Sequence, residues 1–365
     1  MEIFIFILLF LSAELIITAV QFLTRKKTVS TGRRMLIALG KLILSVLLAF
    51  LPMAGPVQLR FLQPFMMASY AALFADSIAD AGVTLYCRLR DRERRFSIVK
   101  AAGLLCGVLF CAYGVINMET VTPNHHTYTS EKLSTSHTLV FIADLHVGSA
   151  QPFSVTAKTL AEVRGLKPEA TVLGGDIFDD YTTKQEMQET CRLFGEFETP
   201  VYYLYGNHDR QGYAQYAGGR KFTQQDLESA LTENGVVILQ DAYAEIAPDL
   251  LLLGREDISQ GEGRAPIDSL PAPAPEKYLI VADHQPSQFK ENLASGADLQ
   301  LSGHTHAGQL FPLGLLYDLI GYNYGDYQQG TAVMNVSAGA CGWRVPFRTE
   351  RHCHYEVIRL EPAAR

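Results

Sequence analysis

The 365-residue sequence predicts an α/β domain behind an N-terminal all-α bundle of about four membrane-type helices. Three observations predict it. Residues 1–118 are apolar and basic, with 13 Lys and Arg against 6 Asp and Glu, whereas the remainder holds 18 against 32. Apolar stretches of about twenty residues recur in that first third, but short β-rich runs alternate with helical stretches beyond residue 137. In the second part, strand after strand ends in Asp, His or Asn.

The apolar stretches run over 3–23, 35–54, 65–86 and 101–118, each close to the ~20 residues that cross a ~30 Å hydrocarbon core. The first lacks a basic n-region and a small-residue cleavage site, so it reads as a span and not merely a signal peptide. Arg25, Lys26, Lys27, Arg33 and Arg34 follow the first stretch, and Arg88, Arg90, Arg92, Arg94, Arg95 and Lys100 follow the third. The loop after the second has only Arg60. Lys and Arg concentrate in cytoplasmic loops, so both termini and the large acidic domain are expected outside the cytoplasm, on a multi-pass protein of the cell membrane. Asp76 and Asp80 lie four residues apart on one face of the third stretch. They read either as an ion or substrate contact or as polar glue between helices, with Lys41 as a partner.

Residues 119–136 show no apolar periodicity and read as a linker, so the expected division is 1–118, 119–136 and 137–365. His125 and His126 within it are either a metal pair or solvated side chains. Six cysteines form no C-x-x-C pair, which argues against a zinc knuckle, and Cys341 and Cys353 either pair as a disulfide or remain free. The acidic second part, without a Lys/Arg cluster, argues against nucleic acid as a main partner.

Strands are expected at 138–143, 170–173, 201–205, 277–282, 298–301 and 332–336, with helices at 155–164 and 184–197. Runs at 236–239, 244–246 and 250–253 read as consecutive strands, and 354–360 as the strand that closes a sheet. Ligand types follow these strands in order: Asp144 and His146, Asp176, Asn207 and His208, His284, then His304 with His306. Sites in open α/β sheets form at the carboxyl ends of strands. A mixed His, Asp and Asn set suits divalent Mn, Fe or Zn. Two such ions about 3.5–4 Å apart can clamp a phosphoryl group and hold the attacking hydroxide, which needs a shared carboxylate, and Asp176 is the natural bridge.

The four segments Asp144-Leu145-His146, Gly175-Asp176-Ile177-Phe178-Asp179, Gly206-Asn207-His208-Asp209 and Gly303-His304-Thr305-His306 occur in that order. Together they resemble the calcineurin-like metallophosphoesterase superfamily, over His137 to Leu360. The resemblance implies a four-layer αββα sandwich and two divalent metal ions. It implies Asp144, His146 and His306 on one ion, Asn207, His284 and His304 on the other, and Asp176 between them. It further implies His208 beside the scissile phosphorus as the group that protonates the leaving oxygen. Asp209 is expected to orient its ring, and Asp179 is either an outer partner of the ligands or a solvated acid.

Gly308-Gln309-Leu310-Phe311-Pro312 and Val336-Ser337-Ala338-Gly339 are similar to a membrane-anchored bacterial branch of that superfamily. Ala307 departs from a second glycine common there, and Arg344 or Arg348 stands later than the usual arginine. Each of these arginines reads as a substrate contact or as a surface charge. Tyr317, Tyr322, Tyr324 and Tyr327 read as an aromatic wall over the site or as packing within their own domain. The expected activity is hydrolysis of a phosphoester, with phosphodiesters of the envelope, lipid-linked or nucleotide type favoured. Alternatives are a phosphomonoesterase, a metal-dependent membrane sensor that has lost catalysis, and a transporter-like protein. The expected partners are a phosphoester substrate and the lipid bilayer.

Overall fold

The four apolar stretches of the first third form helices, α1 (Glu2–Thr24), α2 (Thr31–Ala54), α3 (Gln63–Leu89) and α4 (Phe96–Glu119). The computed structural model describes residues 2–24, 30–54, 63–210 and 221–363. The chain divides into two units, Met1–Ile116 with Leu310–Leu313, and Asn117–Gln309 with Gly314–Arg365. Arg25, Lys26, Lys27 and Arg60, on which part of the orientation argument rests, lie outside the described residues. Among the described residues one helix, Phe96–Glu119, is long and apolar enough to cross a membrane. Arg33, Arg34 and Lys41 lie within α2, and Asp76 and Asp80 within α3.

Several of these charges meet inside the helical unit. The buried Asp76 carboxylate accepts from Lys41 Nζ at 2.7 Å, from Gln21 Nε2 at 2.7 Å and from Lys100. Asp80 accepts from Lys41 at 2.9 Å and pairs with Arg94, while Lys100 stands 3.7 Å from Glu14. Three acids therefore face three bases, and the group is close to neutral. Asp76 and Asp80 act as polar glue, Lys41 included, because their oxygens are taken by cations of the same unit. Apolar side chains point the other way: Leu15 is 71% exposed, Leu36 68% and Ile116 64%. Charge inside and leucine outside reverse the arrangement of a water-soluble helical protein.

The second unit is built on two mixed six-stranded sheets. Its strands are β1 (Val121–Ser130), β2 (His137–Ile142), β3 (Ala170–Gly174), β4 (Val201–Leu204), β5 (Val237–Ile238) and β6 (Ala242–Ala247). They continue as β7 (Leu250–Gly254), β8 (Tyr278–Ala282), β9 (Leu299–Ser302), β10 (Gly325–Gln329), β11 (Ala332–Val336) and β12 (Cys353–Pro362). One sheet runs β1-β12-β2-β3-β4-β5, the other β10-β11-β9-β8-β7-β6. Strands β2 to β5 are mutually parallel, as are β7, β8, β9 and β11, so their carboxyl ends share an edge within each sheet. The inner faces pack together through Phe141, Val172 and Leu204 from one sheet and Leu252, Ile280 and Leu301 from the other.

Helices α5 (Phe153–Leu166), α6 (Lys184–Phe194) and α7 (Gln224–Glu233) cover the outer face of the first sheet through Leu160, Val163, Met187, Phe194 and Leu231. Thr183 and Thr223 start α6 and α7 with reciprocal capping boxes to Glu186 and Asp226. The other outer face carries the short helix α8 (Phe289–Ala294), and a further short helix, α9 (Leu313–Tyr317), follows β9 in the chain. Phe289 of α8 packs there on Met334 and Val336.

The expected linker contains strand β1, which pairs in parallel with β12 along ten residues, Val121 to Ser130. An edge strand needs no apolar face; this one alternates half-buried and exposed positions, and its edge place tolerates Pro123. His126 is no solvated residue either, since its Nε2 bonds Glu356 at 3.0 Å. Cys341 and Cys353 are buried free thiols, packed with Met118 and Ala150.

Candidate metal centre and active site

Five strand ends deliver the expected ligands. The chain leaves β2 at Asp144 and His146, β3 at Asp176, and β4 at Asn207 and His208, while β8 leads to His284 and β9 to His304 and His306. The turns that turn these side chains into one space are tight. Asp144, His146, Asp176, His304 and His306 all have positive φ, between 39° and 75°. Each such residue costs on the order of 1 kcal/mol, and strain of this kind gathers where a site is held in one geometry. Close approach explains two glycines: a Cβ on Gly206 would collide with Asp176 Oδ1, and one on Gly303 with Asp144 Oδ2.

Three groups of ligand-type atoms result, Asp179, Asp180 and His208 in one and the expected ligands in the other two. Of the latter two, Asp144, His146 and His306 form one, and Asp176, His284 and His304 the other. His146 Nε2 and His306 Nε2 lie 3.9 and 3.7 Å from Asp144 Oδ1. Asp176 Oδ2 stands 3.1 Å from His284 Nε2 and 3.8 Å from His146 Nε2, so one carboxylate oxygen faces both groups. Buried His146 Nε2, His284 Nε2 and Asn207 Oδ1 have no hydrogen-bond partner. Orphaned buried polar atoms are costly unless something binds them, and these are the lone pairs that a cation would take. The donor set and the unpartnered atoms thus fit two divalent cations.

The second ring nitrogens fix the orientation of the ligands. His146 Nδ1 donates to Asp179 Oδ2 at 2.8 Å, His284 Nδ1 to the Gly174 carbonyl at 2.9 Å, and His306 Nδ1 to the Cys341 carbonyl at 3.2 Å. Each bond leaves Nε2 as the lone-pair nitrogen, the arrangement that metal-binding histidines use. The His304 N–H donates to both Asp144 oxygens at 3.1 and 3.0 Å. Burial, reinforced by the neighbouring His284, pulls His304 down to about 4, so its imidazole is neutral. Burial raises the Asp144 carboxyl, whereas at Asp176 the imidazoles of His284 and His208 outweigh burial and hold the carboxyl well below its usual range.

The turn after β8 is clamped by two acids that sequence reading did not single out. Asp283 receives Arg264 at 2.9 and 2.7 Å and Asn292 at 2.9 Å, and Asp257 receives Gln285 at 3.1 Å on both oxygens. These bonds grip the residues on either side of His284.

His208 stands apart from both ligand groups. Its backbone N–H donates to Asp176 Oδ1 at 2.8 Å, and its ring Nδ1 donates to Asp180 Oδ2 at 3.3 Å. The expected ring partner was Asp209, but the fully buried Asp209 carboxylate serves the turn itself. It accepts from Gly206 N at 2.8 Å, Phe178 N at 2.9 Å and Ile177 N at 3.4 Å. Buried backbone donors at such a turn require an acceptor, and that demand takes both oxygens. Of the adjacent acids Asp179 and Asp180, the first goes to His146 and the second to His208. The Trp343 indole lies 5.4 Å from the His208 ring, with the Arg344 guanidinium 4.4 Å over the indole. Burial lowers the affinity of His208 for a proton, yet the carboxylates of Asp176, Asp180 and Asp179 push it up to about 9.

Arg348 is neither a substrate contact nor a surface charge. It is fully buried and donates to the carbonyls of His306, Ala338, Cys341 and Glu350, tying the His306 turn to the segment beside Asp144. Tyr322 packs on Phe289 and Tyr327, the Tyr327 hydroxyl accepts from Asn323 N, and Tyr324 lies beside His354. These three tyrosines pack within their own domain.

A family model described as calcineurin-like phosphoesterase matches residues 137–308. An uncharacterised metallophosphoesterase of Helicobacter pylori is 28% identical over 242 residues, covering 64% of this chain and 62% of the relative. A Bos taurus protein named transmembrane protein with metallophosphoesterase domain is 25% identical over 292 residues, 75% of this chain and 65% of that one. Phosphodiesterase YaeI of Escherichia coli is 29% identical over 179 residues, 47% of this chain and 61% of that protein. The chain spans less than two thirds of the length of these relatives.

Proposed function

We propose that the chain is a membrane-anchored phosphohydrolase that favours phosphodiesters, on the strength of its match to the calcineurin-like phosphoesterases, a family that works with two divalent metal ions. The observation that carries the proposal is the Asp176 carboxylate facing two ligand groups, with His208 bonded to the same aspartate. Asp144, His146 and His306 would hold one cation and Asn207, His284 and His304 the other, with Asp176 shared. Bound there, the ions supply polarisation of the phosphoryl oxygens and activation of water. The protein's own part is positional and acid–base. His208, held through Nδ1 by Asp180, would protonate the leaving oxygen. Burial of Asp144, His146, Asp176 and His284 strengthens the charge interactions among them.

The preference for diesters is supported by the name of the Escherichia coli relative. Membrane anchoring is supported by the reversed helical unit, by the apolar helix Phe96–Glu119 and by the name of the Bos taurus relative. All four helices would then be embedded, and the distribution of Lys and Arg in the sequence supports a phosphoesterase domain outside the cytoplasm, where envelope phosphodiesters would be at hand.

The test is turnover by the full chain in detergent, with Mn, Fe or Zn added, on a panel of aryl phosphodiesters, aryl phosphomonoesters, nucleotide-sugar diphosphates and phospholipids. Metal-dependent cleavage of a diester, faster than that of the matched monoester and lost on chelation, is expected. Metal binding with no turnover on any substrate would contradict the enzyme reading. Protease added to intact cells should remove the phosphoesterase domain, and full protection would overturn the orientation.

A further inference from the structure

We infer that residues 315–320 of the phosphoesterase unit form a second contact with the lipid bilayer, and that the site's substrate is therefore an amphiphilic phosphoester reached from the membrane. The inference rests on the membrane-anchored reading and adds to it a surface outside the four helices.

Large apolar side chains are almost wholly buried in this unit. Among its described residues the exposed ones are Leu166, Val237, Leu315, Leu316, Leu319 and Ile320. Leu166 and Val237 stand alone, at 45% and 46% exposure. The other four fall within six residues, and Leu319 and Ile320, at 81% and 80%, are the most exposed of all. Scattered exposed leucines are ordinary, but a concentrated apolar patch marks a surface that something covers.

The patch is displayed on a fixed support. Gly314 N donates to the buried Glu350 carboxylate at 2.7 Å, and Asn323 Nδ2 donates to the Gly314 carbonyl at 3.2 Å and to Asp318 at 2.8 Å. Tyr322 packs inward on Phe289.

Chain continuity identifies lipid as the occupant. Leu310–Leu313 belongs to the helical unit, where the Tyr70 hydroxyl donates to the Phe311 carbonyl at 2.8 Å and the Phe74 and Phe311 rings meet at 5.7 Å. That unit presents apolar side chains outward, and Leu310–Leu313 is the part of the later chain that belongs to it. Residues 315–320 follow directly, with Asp318 as their one charge, paired to Arg351 at 3.8 Å. Apolar side chains on such a segment settle at the lipid interface, as they do on interfacial helices. The ligand His306 precedes Leu310 by four residues, so the chain that binds metal runs straight into the lipid-facing segment.

The experiment uses the full chain with Cys87 and Cys106 changed to serine and the buried cysteines kept. One environment-sensitive fluorophore is placed at Leu319→Cys and, in a second sample, at Val237→Cys. Both are reconstituted in nanodiscs of phosphatidylcholine and phosphatidylglycerol carrying a nitroxide quencher near the headgroups. Emission at position 319 should be blue-shifted and strongly quenched, whereas position 237 should report water and little quenching. A position 319 as wet and unquenched as 237, in a chain that does incorporate, overturns this inference and leaves the anchoring reading intact. A chain that fails to enter nanodiscs overturns the anchoring reading, and this inference with it. Turnover of a water-soluble aryl phosphodiester should be kept when Leu315, Leu316, Leu319 and Ile320 are all changed to Ser. Loss of that turnover, with metal content also lost, would make the patch a structural part of the site and contradict the lipid role.

Discussion

His208 enters the site with one ring nitrogen committed to Asp180 and an indole against its ring. A group that donates a proton without binding metal should be removable without losing metal. His208→Ala is therefore expected to lower kcat by about 100-fold or more while metal content by elemental analysis stays at the wild-type value. Loss of metal would contradict the role. The two positioning contacts give a sharper expectation, because only a poor leaving group needs a proton. Asp180→Asn and Trp343→Ala should slow cleavage of alkyl diesters by about 10-fold or more and leave p-nitrophenyl diesters nearly unaffected, with Trp343→Phe close to wild type. Equal loss on both substrates would show a merely structural effect. At this scale the ligand types were legible because each follows an apolar run that can only be a strand. The partner of His208 was not legible, because Asp179, Asp180 and Asp209 carry the same chemistry and only the course of two turns sorts them. Burial of Arg348 likewise depends on four carbonyls that distant segments bring together.

Among the elements, strands with apolar inner faces were read to within a residue or two, and β11 was read in full. Strand β1 was missed because a half-exposed edge strand has no periodicity to find, and its partner lies more than two hundred residues later. That strand brings a pH-dependent contribution. Burial disfavours the His126 imidazolium, but Asp326 and Glu356 raise it from 6.5 to about 9, and Glu356 falls from 4.5 to about 2. A raised histidine stabilises fully below its unfolded value and loses that stabilisation as pH passes its folded value; a lowered carboxyl does the reverse. The pair is therefore complete between about 4.5 and 6.5, weakens toward pH 9, and weakens again toward pH 2. Denaturant unfolding of the α/β unit should show this fall in stability from pH 6.5 to 9, and His126→Gln should remove that part of it. A similar slope in the variant would contradict the assignment. In the helical unit, Asp76→Asn leaves two lysines facing one acid fewer, at a cost of about 3 kcal/mol or more. Lys41→Met in the same chain should restore part of it, as read by thermal unfolding in detergent. An additive double variant would show that the contacts are not coupled.

For the whole molecule, the opposed charge of the two parts was enough to separate a helical module from an α/β one. The exact division was not, since Leu310–Leu313 joins the helical unit and the strand β1 joins the sheets. Such exchanges are set by tertiary packing, which a local pattern does not encode. The proposed function requires Asp176 to be shared by two cations in one catalytic centre. Elemental analysis of the full chain, purified without added chelator, measures it most directly when wild type is compared with Asp176→Ala. Two equivalents of divalent metal per chain are expected in the wild type, one for each ligand group, with less than one in the variant. A wild type that holds no metal, or a variant that keeps both equivalents, would contradict it.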